Sequence, residues 1–115
     1  MQGKIDMFWM LPDTSVVTAE TVESILLFSF QNKVPVFSFS SKYVKMGALA
    51  SISADPFDLG AQTGEIVANK FAKGLGEDPV LVRSRKIVLS VNRKIAEKLG
   101  IPLDNEITQN AAEVY

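Results

Sequence analysis

Residues 35–60 read P-V-F-S-F-S-S-K-Y-V-K-M-G-A-L-A-S-I-S-A-D-P-F-D-L-G, and the fold follows from the order of the signals within them. A short apolar run over 34–39 has the length and the β-branched and aromatic content of a strand. A serine-rich polar connection over 40–45 follows, with room for one helical turn. Met46-Gly47-Ala48 then opens a second run, 49–54, where apolar and small polar residues alternate at the two-residue period of a strand. Asp55 reads as a helix N-cap. Pro56 takes the first helical position, where its missing N–H costs nothing, and Asp58 stands in the first turn. The helix is predicted over 56–73, stopped by Gly74.

Upstream, I-D-M-F-W-M-L over 5–11 is nearly continuous apolar, as in a strand covered on both faces. Pro12-Asp13-Thr14-Ser15 ends it. Thr18 reads as the N-cap of a helix over 19–32, with Glu20 in its first turn. Val22, Ile25, Leu26 and Ser29 form one face of that helix. Leu27, Phe28 and Phe30 make the remainder apolar too, which predicts cover on more than one side.

Downstream, G-L-G-E-D-P over 74–79 reads as a surface loop, without the Lys-Ser/Thr of a phosphate-binding loop. A fourth strand is predicted over 86–91. Asn92 caps a helix over 93–99, which Gly100 and Pro102 stop. Residues 103–115 are polar and read as a frayed helix. Trp9, Phe37 and Phe57 are assigned to the core. Strands alternating with helices make βαβ units. The expected fold is therefore α/β in three layers, with a mainly parallel sheet of about four strands and helices on both faces.

Composition narrows the function. The 115 residues suffice for one domain with a core, and 47% of them are apolar, which rules out disorder as the default. A net charge of −1 without a basic block gives nucleic acid no electrostatic footing. Without cysteine there is neither a disulfide nor a thiolate metal site. Without histidine the commonest general base and metal ligand are missing. No catalytic triad, metal site or cofactor is therefore read, and the chain is not expected to be an enzyme. Asp55 and Asp58 are both explained by one helix start. Ser40, Ser41 and Lys42 are sequence neighbours, which does not position a nucleophile against a base. No run of ~18 apolar residues suggests a membrane span, and no secretory signal follows Met1.

Residues 35–60, with Leu11-Pro12-Asp13-Thr14 upstream and Val91-Asn92-Arg93-Lys94 downstream, resemble the last part of ABC-transporter substrate-binding proteins with the type I periplasmic-binding fold. Such proteins close two lobes around amino acids and other small solutes. The resemblance covers most of this chain and implies the C-terminal third to half of such a protein, with the first lobe missing. It implies a single domain over 1–115 from the second lobe, in which 46–79 cross to the first lobe and give it a helix. The partners it implies are a small-molecule ligand such as an amino acid, an ABC permease and the missing N-terminal lobe. The implied location is periplasmic or extracellular and membrane-anchored. A ligand-sensing or interaction module of a signalling protein uses the same fold and shares these residues, so that alternative stands beside the importer.

Ligands of open α/β sheets bind at the carboxyl ends of the strands. The candidates here are Asp13 and Thr14 after the first strand, Ser40 after the second, and Gly47 and Ala48 at the crossover. An amino-acid ligand needs an acceptor for its ammonium, donors for its carboxylate and an apolar wall. Asp13 suits the ammonium, Thr14 and Ser40 the carboxylate, and Gly47 lets a backbone approach closely. Pro-Asp-Thr-Ser is equally an ordinary strand-to-helix turn whose Asp caps backbone N–H groups. An open strand edge and the apolar sides of the 19–32 helix also predict association, in its simplest form a homodimer through Leu27, Phe28 or Phe30.

Overall fold

The computed structural model describes residues 5–74 and 81–115. Apart from Gly74, the expected 74–79 loop lies outside the described residues. In chain order the elements are β1 (Phe8–Trp9), α1 (Ala19–Asn32), β2 (Val36–Ser38), α2 (Ser41–Met46), β3 (Ala50–Ala54), α3 (Pro56–Lys73), β4 (Ile87–Val91), α4 (Arg93–Leu99), α5 (Asn105–Asn110) and β5 (Glu113–Val114). The strands form one sheet in the order β1-β2-β3-β4-β5. The chain divides into two compact units, one of Met1–Ser53 with Leu89–Tyr115, the other Ala54–Val88.

β1, β2 and β3 pair in parallel, Trp9 facing Phe37 and Ser38 facing Ser51, and β4 pairs in parallel with β5. Asn92 N–H donates to Leu49 O and Asp55 N–H to Lys86 O, so β4 returns antiparallel to β3. The sheet is thus mainly parallel, as the alternation of elements predicts.

In the first unit elements pack on both faces of the sheet, which gives the three layers, while the β1 end of one face stays open. Met10, Val22, Val36, Val44 and Ala48 bury one core between the sheet, α1 and α2. Leu49, Ala50, Val91 and Ala96 bury a second, against which Phe37, Leu103 and Ala111 pack. The neighbours Val36 and Phe37 belong to different cores because successive strand side chains point to opposite faces. Helix ends fall where the sequence places them. Thr18 accepts from Thr21 N–H at 3.2 Å while Thr21 Oγ1 accepts from Thr18 N–H at 2.9 Å, a reciprocal cap. Asn92 Oδ1 accepts from Ile95 N–H, and Gly100, at φ 71°, ends α4 in the left-handed conformation that glycine tolerates.

Five expectations are corrected. Residues 40–45 hold more than a turn: Ser40 caps a full helix, α2. The polar tail ends in a strand, β5, because Ala112 N–H and Tyr115 N–H donate to Leu89 O and Val91 O on the free side of β4. A two-residue strand is too short to show alternation. Trp9 is 57% exposed and Phe57 87%, so neither is core, whereas Phe37 is half-buried. β1 is an edge strand, and Met7, Trp9 and Leu11 alternate onto an uncovered face. Among the described residues helix α1 is covered on one side only: Val22 and Ser29 are buried, while Leu27 and Phe30 are exposed.

Ser51 is 1% exposed, and its hydroxyl has no partner among the described residues. Its neighbours in adjacent strands are satisfied. Ser38 donates to Ser40 O at 3.0 Å, and Ser90 to Glu113 at 3.2 Å. A buried hydroxyl without a bond is destabilising, so Ser51→Ala is expected to be neutral or to stabilise by about 1 kcal/mol. Urea denaturation checks this; a loss of about 1 kcal/mol or more means the hydroxyl is satisfied in solution, for instance by a water.

The second unit is one helix and the segment that returns along it. Asp55 Oδ1 accepts from Asp58 N–H at 2.9 Å, with Pro56 at the first helical position. Arg85 grips Asp58 at 3.0 Å and Glu65 at 2.7 Å, Lys86 pairs with Asp55 at 3.2 Å, and Gln62 Nε2 donates to Arg83 O. The Arg85 guanidinium holds the Glu65 carboxyl below its usual range. The Asp58 N–H, and after it Lys86, does the same for Asp55. These exposed pairs orient the segment more than they stabilise it. The other side of α3 is bare: the helix buries no side chain.

Candidate functional site

Parallel pairing decides which loops share an edge. From the Trp9–Phe37 register both strands run the same way, so the β1–α1 and β2–α2 connections emerge together at the carboxyl edge of the first unit's sheet. Asp13, Thr14 and Ser40 stand there. Gly47 and Ala48 do not. α2 carries the chain back across the sheet, and both residues precede β3 at the opposite edge. Gly47 ends α2 at φ 137° beside the Leu26 side chain, and Ala48 is 0% exposed inside the first core. Their place is architectural: the sequence shows a turn before a strand but not which edge the turn occupies.

Asp13 lies in a tight, exposed turn. Its carbonyl accepts the N–H groups of Val16 and Val17 at 3.0 and 2.8 Å, and its own N–H donates to Leu11 O. Thr21 Oγ1 donates to Val16 O, tying the end of the turn to the start of α1. The Asp13 carboxylate accepts from the hydroxyl and N–H of Ser15, which hold its pKa below the ordinary carboxylate value. Asp13 thus closes its own turn through both its carbonyl and its carboxylate. Ser15 reads in the sequence only as part of the turn; its proximity to Asp13 was visible, its bonding was not.

Thr14 is exposed beside Asp13. Ser40 is half-buried and accepts from Lys42 N–H at 3.3 Å, while buried Ser38 donates to its carbonyl. Lys42 and Lys45 are exposed, with their ammonium groups over the rings of Tyr43 and Tyr115 at 5.7 and 5.3 Å. Next to the turn, β1 and α1 enclose a cleft of about 130 Å³. Trp9, Leu11, Val16, Val17 and Ile25 give it apolar walls, and Asp13 is the charged residue on its lining. The edge therefore offers a fixed carboxylate, hydroxyls and an apolar wall. Among the described residues no group of three or more acidic side chains is placed to hold a metal ion, and no helix is long and apolar enough to cross a membrane.

The solved structures similar to this chain include the following three. A conserved domain protein from Vibrio cholerae is 28% identical, with a TM-score of 0.71 over 96% of this chain and 36% of its own. An ABC domain from Streptococcus pneumoniae, solved in complex with L-Trp, is 27% identical, with a TM-score of 0.72 over 99% of this chain and 38% of its own. A substrate binding protein with adhesive properties from Clostridium difficile, in its ligand-free open form, is 27% identical, with a TM-score of 0.76 over 98% and 37%. The chain thus spans less than two fifths of the length of each. Among curated proteins none matches. Over residues 1–115 the sequence matches the ABC transporter substrate binding proteins, and the chain belongs to that family.

Proposed function

We propose that this chain is part of the solute-binding component of an ABC importer, and that the edge formed by Asp13, Thr14 and Ser40 holds one end of an amino-acid-like ligand without transforming it. The observation that carries the reading is the parallel register of β1 and β2, which gathers a carboxylate and two hydroxyls at the end of the sheet where such folds bind ligands. The L-Trp complex of the pneumococcal neighbour supports a ligand with both ammonium and carboxylate groups. The family supplies the partners: a small solute, an ABC permease, and a working place in the periplasm or outside the cell.

The 54–88 unit is read as this chain's contribution to the other lobe. Phe57, Val67 and Phe71 are exposed along α3. Among the described residues, a Cβ placed on Gly60 or Gly64 would meet no atom within 4 Å. Each glycine weakens a helix by about 1 kcal/mol relative to alanine, a cost that the close approach of a first-lobe layer would explain.

A partial site leaves its ligand wet. Calorimetry with a panel of L-amino acids should find nothing tighter than about 1 mM, roughly 4 kcal/mol. Amide shifts on titration should centre on Asp13, Thr14 and Ser40, and Asp13→Asn should abolish them. Micromolar affinity would show that the pocket is complete within these 115 residues. Shifts confined to other parts of the chain would remove the reading.

A further inference from the structure

Ser15 gives two hydrogen bonds to a single oxygen of Asp13: its N–H at 2.9 Å and its hydroxyl at 2.6 Å, both to Oδ1. The turn does not depend on the hydroxyl. Its backbone is already closed by the Val16 and Val17 N–H groups on the Asp13 carbonyl, and the Ser15 N–H alone would complete it. Among the described residues, Asp13 Oδ2 takes no hydrogen bond. The carboxylate owes its lowered pKa to the Ser15 hydroxyl first and the Ser15 N–H second, not to a neighbouring charge. Two donors favour the ionised form, so the group carries its charge at neutral pH with one oxygen anchored and the other open.

We propose that Ser15 is a positioning residue of the ligand site: its hydroxyl anchors Oδ1 and so presents Oδ2 to the ammonium group of a primary-amine ligand. This rests on reading Asp13 as the ammonium acceptor. A carboxylate that is fixed before binding loses less freedom when the amine arrives, which is the ordinary gain from preorganisation. The hydroxyl is well suited because a hydrogen bond to an ionised acceptor is of the stronger kind. The apolar walls beside Asp13, among them Trp9, Leu11 and Val16, favour an amine that carries an apolar group.

The test is a pair of NMR titrations of the 115-residue chain, one with L-tryptophan and one with indole-3-propionate, the same skeleton without the ammonium. Ser15→Ala is expected to weaken L-tryptophan by about three- to tenfold, the worth of one hydrogen bond, and to leave indole-3-propionate unchanged. The Asp13 carboxyl carbon should titrate at higher pH in Ser15→Ala than in the wild type. Ser15→Thr, which keeps the hydroxyl, should restore both. Equal weakening of the two probes would make Ser15 a turn residue only and overturn the proposal. Loss of L-tryptophan binding in Asp13→Asn but not in Ser15→Ala would overturn it while leaving the site intact. Binding of L-tryptophan that ignores Asp13→Asn, or no shift near Asp13 in the wild type, removes the ligand-site reading and Ser15's role together.

Discussion

Asn92→Ala is expected to destabilise the chain by about 2–4 kcal/mol, the sum of a lost helix cap and a buried carbonyl that loses its shorter hydrogen bond and keeps only the Gly47 N–H at 3.3 Å. All four polar groups of Asn92 are engaged. Its N–H donates to Leu49 O, and its carbonyl accepts from Ala96 N–H. Oδ1 accepts from Ile95 N–H at 3.0 Å, and Nδ2 donates to Val44 O at 2.9 Å. Val44 is fully buried, so water cannot replace that donor. Asn92→Asp separates the two contributions. It keeps the acceptor that caps α4 but sets a carboxylate oxygen against the Val44 carbonyl, and should remain well below wild type at neutral pH. Urea midpoints at constant slope measure both variants. If Asn92→Asp matched wild type, the bond to Val44 would contribute nothing.

Met10→Ala is expected to cost about 2–5 kcal/mol, the range for truncating a buried long side chain and leaving a cavity. Trp9→Ala should cost only about 1 kcal/mol, the worth of an aromatic pair on an open face. Met10 is 2% exposed, while Trp9 stacks on Phe37 at 6.4 Å between ring centroids and is otherwise open to solvent. Size alone would order these two the other way. Circular dichroism is the right probe, because the chain's only tryptophan is one of the residues changed. A Trp9→Ala variant less stable than Met10→Ala would mean that the 7–11 face is covered in solution. With total stabilities of about 5–15 kcal/mol for small domains, the Met10 substitution is expected to be close to the limit of folding.

Much of the fold was legible because its signals are local. A cap is made by one residue and the three that follow it, so Thr18, Asp55 and Asn92 could be read directly from the chain. Glycines that end helices in the left-handed region announce themselves in the same way, as Gly100 does. The candidate site was legible in part. Asp13 and Ser40 follow strands, and strand ends are where open sheets bind ligands. Gly47 and Ala48 belong to the other edge, because only the fold shows that α2 returns the chain across the sheet before β3 begins.

By itself the sequence determined the alternation of strands and helices, the helix starts, the mainly parallel pairing this imposes, and the family. Each rests on interactions within a few residues or on a pattern spread along the chain. Tertiary structure alone decided which apolar residues are core, where β5 pairs, and how Ser15 holds Asp13. A side chain is buried only if another element lies over it, and hydrophobicity cannot report that. Trp9 and Met10 are neighbours with the same apolar character, yet alternation along a strand sends one into the first core and the other onto an open face.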